Sequence, residues 1–245
     1  MRGLISVAAV LGAWQAAGLA GWLNAQLLPP PGDILRAFID LSEDWALLGH
    51  AAASLRRVLT GLLYACLAAF PLGIISASHP RIRAHVQPLI ELLRPIPPIA
   101  WIPLAILWFG IKGDRASNFI TFIAAFFPLF VNTFSGIRHI EELHLNAARS
   151  LGAGRRMLLL DVALPSALPF VITGLRLSLG FAWMSVIAAE LIASNSGLGY
   201  MIEINRSMLN TAHVICGMIT IGAIGYLMNE AILLLERRYS WRPLQ

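Results

Sequence analysis

Six apolar runs, most of them about twenty residues or longer, divide this chain into membrane-length pieces at about 4–23, 51–77, 88–110, 116–136, 167–193 and 214–235. At ~1.5 Å of rise per residue, about 20 helical residues cross a hydrocarbon core of ~30 Å, and a helix satisfies its own backbone polar groups there. With 58% hydrophobic and only 13% charged residues, the chain has too little charge to cover a soluble globule of 245 residues. The expected fold is all-α and integral to the membrane, a single transmembrane domain over 1–245. The first run follows Arg2 and ends among Ala and Gly, as a signal peptide would. It is longer than a usual signal-peptide core and lacks a clear polar cleavage region, which favours a retained span.

Arginine placement sets the orientation. With the N-terminus inside, ten cations face the cytoplasm: Arg2, Arg81, Arg83, Arg138, Arg149, Arg155, Arg156, Arg237, Arg238 and Arg242. Four face outward, namely Arg36, Lys112, Arg115 and Arg206, while Arg56, Arg57, Arg94 and Arg176 fall within runs. The bias puts both termini in the cytoplasm and gives the net charge of +5 a use that needs no nucleic acid. On this topology Leu28-Pro29-Pro30-Pro31-Gly32-Asp33 is a rigid outer turn. Ile34 to Leu48, with Asp33, Asp40, Glu43 and Asp44, reads as an extracytoplasmic surface helix, and His79 to His85 as a short basic inner loop. Arg56 and Arg57 sit near the outer end of their span; Arg57 is expected to snorkel outward, and at least one of the pair to face a wet interior. Cys66 and Cys216 lie far apart in apolar runs with no metal-like spacing and are expected to pack as small hydrophobes.

The third run cannot be one straight helix. Pro95, Pro97, Pro98 and Pro103 fall within nine residues, and each deletes an amide donor and clashes with the preceding turn. Irregular backbone at membrane depth survives where it is buried in protein or lines a wet cavity, so a pathway-lining break is expected beside Arg94. Arg176 and Glu190 are the other intramembrane charges of interest. Their spacing of 14 residues places them about 21 Å apart along a helix, too far for a direct pair.

A polar, basic interruption separates the fourth and fifth runs. Glu141-Glu142 suits a helix start, and Leu143, Ala147 and Leu151 recur at i, i+4, i+8 as a narrow apolar stripe. Gly152-Ala153-Gly154 then stops the helix, because glycine enters left-handed geometry cheaply, and Arg155-Arg156 starts another. The segment 141–160 therefore reads as helix, bend, helix at the membrane interface, a knob for a soluble partner.

This register resembles the coupling motif of ABC importer permeases: Glu-Ala-Ala, three residues, Gly, nine residues, then Ile/Val-x-Leu-Pro. Ala147, Ala148, Gly152, Val162, Leu164 and Pro165 match it, and Asn146 stands where the family has Glu. The stretch Leu93 to Gly110, with Gly174-Leu175-Arg176, Ala189-Glu190 and Gly197-Leu198-Gly199-Tyr200, is similar to permeases for nitrate, taurine and aliphatic sulfonates. The resemblance runs from about Pro29 to Arg238. It implies a type I ABC importer permease fold, with six transmembrane helices and a cytoplasmic coupling helix, in a bacterial inner membrane. The implied partners are a second permease copy, two cytoplasmic ATP-binding subunits and an extracytoplasmic solute-binding protein.

The chain shows no Gly-x-x-x-x-Gly-Lys-Ser/Thr loop, so ATP and Mg are expected in a separate subunit, with no catalytic residue, cofactor or metal here. Asn146, Ala147, Ala148, Arg149 and Gly152 are the expected ATPase-coupling residues. Arg94, Pro97, Pro98, Trp101, Arg176, Trp183, Glu190, Gly197 and Tyr200 are the candidates for the pathway or its gate. The four arginines within spans favour a small anion such as nitrate, taurine or a sulfonate. An uncharged or pyrimidine-like solute is the alternative. A membrane-embedded enzyme fits less well, because no His-Glu-x-x-His or Gly-x-Ser-x-Gly motif occurs. A passive channel would have no use for a coupling segment.

Overall fold

The computed structural model describes residues 2–239 except Asp44, Lys112 and Glu141. Asp44 of the outer helix, the loop cation Lys112, Glu141 of the coupling segment and the terminal Arg242 thus lie outside the described residues. The side chains of Arg2, Glu142, Leu143, Arg155 and Arg238 do so as well. The elements in order are α1 (Arg2–Leu19), α2 (Pro31–Glu43), α3 (Ala46–Ser78), α4 (Pro80–Leu93), α5 (Ile102–Phe109), α6 (Arg115–Arg138), α7 (Glu142–Ser150), α8 (Arg155–Met157), α9 (Leu164–Ala193), α10 (Leu198–Ser207) and α11 (Thr211–Tyr239). A 3₁₀ turn at Pro98–Trp101 precedes α5, and a wide π turn at Leu158–Ala163 joins α8 to α9. Among the described residues there is no strand, and the all-α membrane fold stands.

Four helical stretches are long and apolar enough to cross a membrane: Ala46–Ser78, Arg115–Arg138, Leu158–Ala193 and Thr211–Leu234. The third expected span is instead two pieces, Pro80–Leu93 and Pro98–Phe109, bent by 91°. The break falls on the proline cluster, as the missing donors at Pro95, Pro97 and Pro98 require. Lone prolines at Pro71, Pro88, Pro128 and Pro169 stay inside continuous helices. One missing bond is absorbed where three neighbouring ones are not.

Several boundaries differ from the sequence reading. The first run, expected as a span over 4–23, is helix only to Leu19 and is not among the four membrane-length stretches. The basic loop at His79–His85 is mostly helix, because Pro80 takes the first position of α4, where its fixed φ fits and its absent N–H is not needed. The helix expected over Ile34 to Leu48 does not reach Leu48. It ends at Glu43, and Trp45 takes a left-handed φ of 56° before α3 begins at Ala46. The turn after the fifth span is shorter than Ser194 to Tyr200: Gly197, at φ 107°, precedes α10, so Tyr200 is already helical.

The core is built on α6, which packs along both α3 and α9. On α3, Gly61, Ala65, Ala69 and Gly73 recur every four residues, and all are buried. Opposite them on α6 stand Thr121, Ala125, Leu129 and Thr133, also every four residues and buried. A Cβ on Gly61 would come within 2.5 Å of the Thr121 Cβ, and one on Gly73 within 3.0 Å of the Thr133 Cβ. Small residues let the two backbones approach, which compensates for the weak hydrophobic drive between helices in lipid. Positions rise together along both helices, so α3 and α6 run parallel. Against α9 the order reverses. Gly136 meets Phe170 and Gly174 meets Asn132, each with 2.7 Å to a built Cβ, so that pair is antiparallel. The Ser178 hydroxyl donates to the Ala125 carbonyl at 2.7 Å and pins the α6–α9 crossing. Peripherally, α2 buries Ile34 and Ala37 in a cluster with Cys216 of α11, in line with the amphipathic reading of α2.

Candidate functional site

One end of the three-helix core holds a buried polar cluster that ties four segments together. His50, Ser54 and Arg57 lie at i, i+4 and i+7, which is one face of α3. The Arg57 side chain is 1% exposed and reaches Glu190 near the end of α9, with Nη1 to Oε1 at 2.7 Å. Its Nε donates to Asp114 Oδ1 at 2.7 Å, just before α6. The guanidinium also donates to the Ser196 carbonyl at 2.6 Å and the Ser196 hydroxyl at 2.7 Å. Arg56 makes a further ion pair with Asp114. Two guanidinium groups thus meet two carboxylates.

The other Glu190 oxygen accepts from the Ser54 hydroxyl at 2.8 Å and from the Gly199 amide at 3.0 Å. The Leu198 amide donates to Ser54 Oγ at 2.9 Å and the Gly197 amide to His50 Nδ1 at 3.1 Å. The first amides of α10, which have no partners inside the helix, are therefore spent on α3 and α9, with a carboxylate at the positive helix end. This accounts for Gly197-Leu198-Gly199-Tyr200. A Cβ at Gly197 would sit 2.3 Å from the Glu190 carboxyl carbon, and one at Gly199 would sit 2.6 Å from the Ile187 carbonyl. Tyr200 packs its ring near His50, with centroids 6.0 Å apart.

The expectation that Arg57 snorkels outward is therefore corrected: its guanidinium is enclosed by Glu190, Asp114 and Ser196. Arg56, with 69% of its side chain exposed, does reach outward. Arg57 was missed as a structural centre because its acids lie 57 and 133 residues away. The His50, Ser54, Arg57 spacing was the available signal: three polar residues on one face of an apolar helix call for polar company.

The coupling segment forms at the opposite end of α6. Its first helix ends in a full Schellman arrangement: the Gly152 amide donates to the Arg149 carbonyl at 2.9 Å, and the Ala153 amide to the Ala148 carbonyl at 3.0 Å. Gly152 carries the left-handed φ of 86° that this cap requires. Asn146 Oδ1 accepts from Arg149 Nη1 at 2.9 Å, an i, i+3 link that needs no carboxylate. Asn146, Ala147, Arg149 and Gly152 are exposed, Ala148 is half-buried, and Leu151 is 90% exposed. The π turn then carries the chain into α9, so the second short helix merges with the fifth span.

The pathway candidates fall into separate neighbourhoods. Arg94 and Pro98 line a cavity between the break, α6 and α9. Pro97 is extended, with ψ 138°, and its carbonyl accepts the Ala100 amide at 2.9 Å. Trp101 packs against the buried cluster of Ala189 and Ala193, and its indole N–H has no hydrogen-bond partner among the described residues. Arg176 and Trp183 share a crevice between α9 and α11. There Arg176 Nε donates to Asn229 Oδ1 at 3.1 Å and Nη1 faces Glu236 at 3.7 Å, while Trp183 Nε1 donates to the Ile221 carbonyl at 3.2 Å. Glu190 and Gly197 belong to the Arg57 cluster. Arg176 and Glu190 each pair with other helices rather than with each other.

The fold is a multi-span helical bundle with a proline-broken segment beside a cavity and a capped helix at one end, the build of an integral membrane component. Residues 69–241 match the model of the binding-protein-dependent transport system inner membrane component, and the chain belongs to that family. It is 36% identical over 240 residues to the taurine transport system permease protein TauC of Escherichia coli, covering 96% of this chain and 87% of that one. It is also 36% identical over 244 residues to the aliphatic sulfonates transport permease protein SsuC of Bacillus subtilis, covering 99% and 88%. The fold is that of the MetNI methionine ABC transporter in an inward-facing conformation, with a TM-score of 0.71 at 18% identity over 82% of this chain and 99% of that one. The chain is thus a multi-pass permease component of an ABC importer, in the group of the taurine and aliphatic sulfonate permeases. ATPase and solute-binding partners go with that family.

Proposed function

We propose that two copies of this chain form the membrane pathway of an importer for a small organic anion, a sulfonate such as taurine being the favoured cargo. An extracytoplasmic binding protein delivers the solute. Two cytoplasmic subunits bind ATP and Mg and do all the hydrolysis, so this chain needs no cofactor of its own. Both termini lie in the cytoplasm of a bacterial cell, and the chain resides in its inner membrane.

The observation that carries this reading is the capped, exposed helix ending at Gly152. A Schellman cap fixes the direction of α7, and Leu151 stands out from it as an apolar plug, exposed among the described residues. Asn146, Ala147, Ala148, Arg149 and Gly152 are the docking residues for the ATPase. The π turn at Leu158–Ala163 joins that knob to α9, so a push on the knob moves the long helix that carries Arg176, Trp183 and Glu190. Arg94, Pro97, Pro98 and Trp101 form the break that borders the route, while Arg176 and Trp183, on the face of α9 turned to α11, act on it through α9. Gly197 and Tyr200, both held against His50, form the outer gate.

The test is reconstitution of the chain with its ATPase subunits and binding protein in proteoliposomes. Labelled taurine should accumulate only with internal ATP and external binding protein. Uptake without ATP would replace the importer with a channel, and uptake of uncharged solutes alone would replace the anion.

A further inference from the structure

Two cavities meet at Arg94. The first, of about 220 Å³, is lined by Pro98, Phe127, Asn132, Leu177 and Phe181 as well as Arg94. The second, of about 180 Å³, is lined by Ser76, Gln87, Glu91 and Ser135, and again by Arg94 and Val131. The first is aromatic and apolar apart from its two polar side chains; the second sets its polar side chains beside the apolar Ile90, Phe130 and Phe134. Both volumes fall below the ~300–1,000 Å³ of sites for drug-sized ligands, so each compartment suits a small occupant.

Among the described residues the Arg94 guanidinium has no hydrogen-bond or ion-pair partner, although its backbone amide donates to the Ile90 carbonyl. Glu91, one turn earlier, accepts from the Gln87 amide at 2.8 Å instead. Asn132 spends one amide hydrogen on the Pro128 carbonyl at 2.8 Å and keeps the other free. Pro128 offers no N–H to the Ala124 carbonyl, which lines the same cavity, so the α6 backbone is locally open there. An unpaired guanidinium in a helical membrane protein is costly unless water or an anion meets it.

We infer that Arg94 and Asn132 form an anion subsite within the permease. It takes the negative head of a small organic anion while Phe127, Leu177 and Phe181 hold its compact body, and it passes the anion toward the compartment of Ser76, Gln87 and Ser135. Arg94, with its forked donors, grips a planar or tetrahedral oxyanion, and Asn132 adds one directional donor. Glu91 on the far side repels the anion, so the site binds without trapping. This inference rests on the importer reading above and adds to it where, within the chain, charge selection occurs.

The test uses the assembled complex with its ATPase subunits, in neutral detergent without anionic lipid. Cys66 and Cys216 are replaced by Ala and Asn132→Cys is introduced. Its modification is timed with a sulfonate-bearing methanethiosulfonate reagent and with its trimethylammonium counterpart. The anionic reagent should react about tenfold faster, Arg94→Lys should keep that preference, Arg94→Gln should abolish it, and ethanesulfonate should slow the reaction. Equal rates, a cationic preference, or an unreactive thiol would overturn the subsite. If Asn132→Cys does not assemble, Val131→Cys, which lines both compartments, carries the same readout. ATP-driven uptake by the unsubstituted complex is measured beside it. Uptake without reagent preference sinks only the subsite, and absence of uptake sinks the importer reading.

Discussion

Arg57 Nη1 and Glu190 Oε1 lie 2.7 Å apart with both side chains buried, across 133 residues of sequence. Neither charge is left to the pair alone. Asp114 and Ser196 complete the guanidinium, and Ser54 and the Gly199 amide complete the carboxylate. Taking two charges out of water is repaid only when their remaining hydrogen-bonding groups are met, and here they are. The cluster therefore fixes where α10 starts relative to α3 and α9.

Removing one member should be worse than removing both. Glu190→Ala leaves the Arg57 charge with less compensation and the Gly199 amide without its acceptor, and should cost roughly 3–5 kcal/mol. Arg57→Met with Glu190→Met should cost less than either single change. Thermal unfolding of the purified chain in detergent measures this. A double variant less stable than both singles would show that the pair stabilises outright.

The α3–α6 seam makes a second prediction. Gly61→Ala places a Cβ against Thr121 and should destabilise by about 1–3 kcal/mol, as overpacking does. Thr121→Gly in the same chain should recover part of the loss, because it removes the Cβ that clashes. Equal stability of Gly61→Ala and the parent would mean that the helices can slide apart freely.

Much of this architecture can be read from residue order alone. Apolar runs near the length of a bilayer, a proline cluster that breaks the third of them and a Gly152 stop all act locally, within one turn or one span. What escapes such reading is pairing between helices. Arg57 looks like any arginine near a span end until Asp114 and Glu190 are brought to it. Gly61, Ala65, Ala69 and Gly73 were legible as a four-residue small repeat, yet only the facing Thr121 and Thr133 show which helix it receives. Arg176 and Trp183 share a face of α9, but that face turns to α11, while Arg94 lies in a cavity bordered by Leu177 and Phe181. Helical periodicity gives a face its members and not its neighbour.

Orientation is tested by cysteine labelling in a background without Cys66 and Cys216. A cysteine at Asp40 or Asn195 should react with an impermeant reagent added outside, and one at Ser150 only after permeabilisation. Asn195 is a better reporter than Ser194, whose hydroxyl is bonded to Ser117 at 3.1 Å. External labelling at Ser150 would invert the topology and remove the coupling segment from the cytoplasm.

The coupling helix permits the sharpest test, because its two requirements are separable. Gly152→Pro forbids the φ of 86° and removes the amide that reaches Arg149, so it should destroy the cap and the direction of α7. Leu151→Asp leaves the cap intact but puts charge on a side chain that is 90% exposed in the isolated subunit. Both should reduce binding-protein-stimulated ATP hydrolysis at least tenfold, while thermal stability changes little for Leu151→Asp. Gly152→Ala is the control: it keeps the amide and strains only φ, at a cost of roughly 1–2 kcal/mol, and should retain most coupling. Full stimulation in Leu151→Asp would show that α7 is an ordinary connector and that the ATPase docks elsewhere.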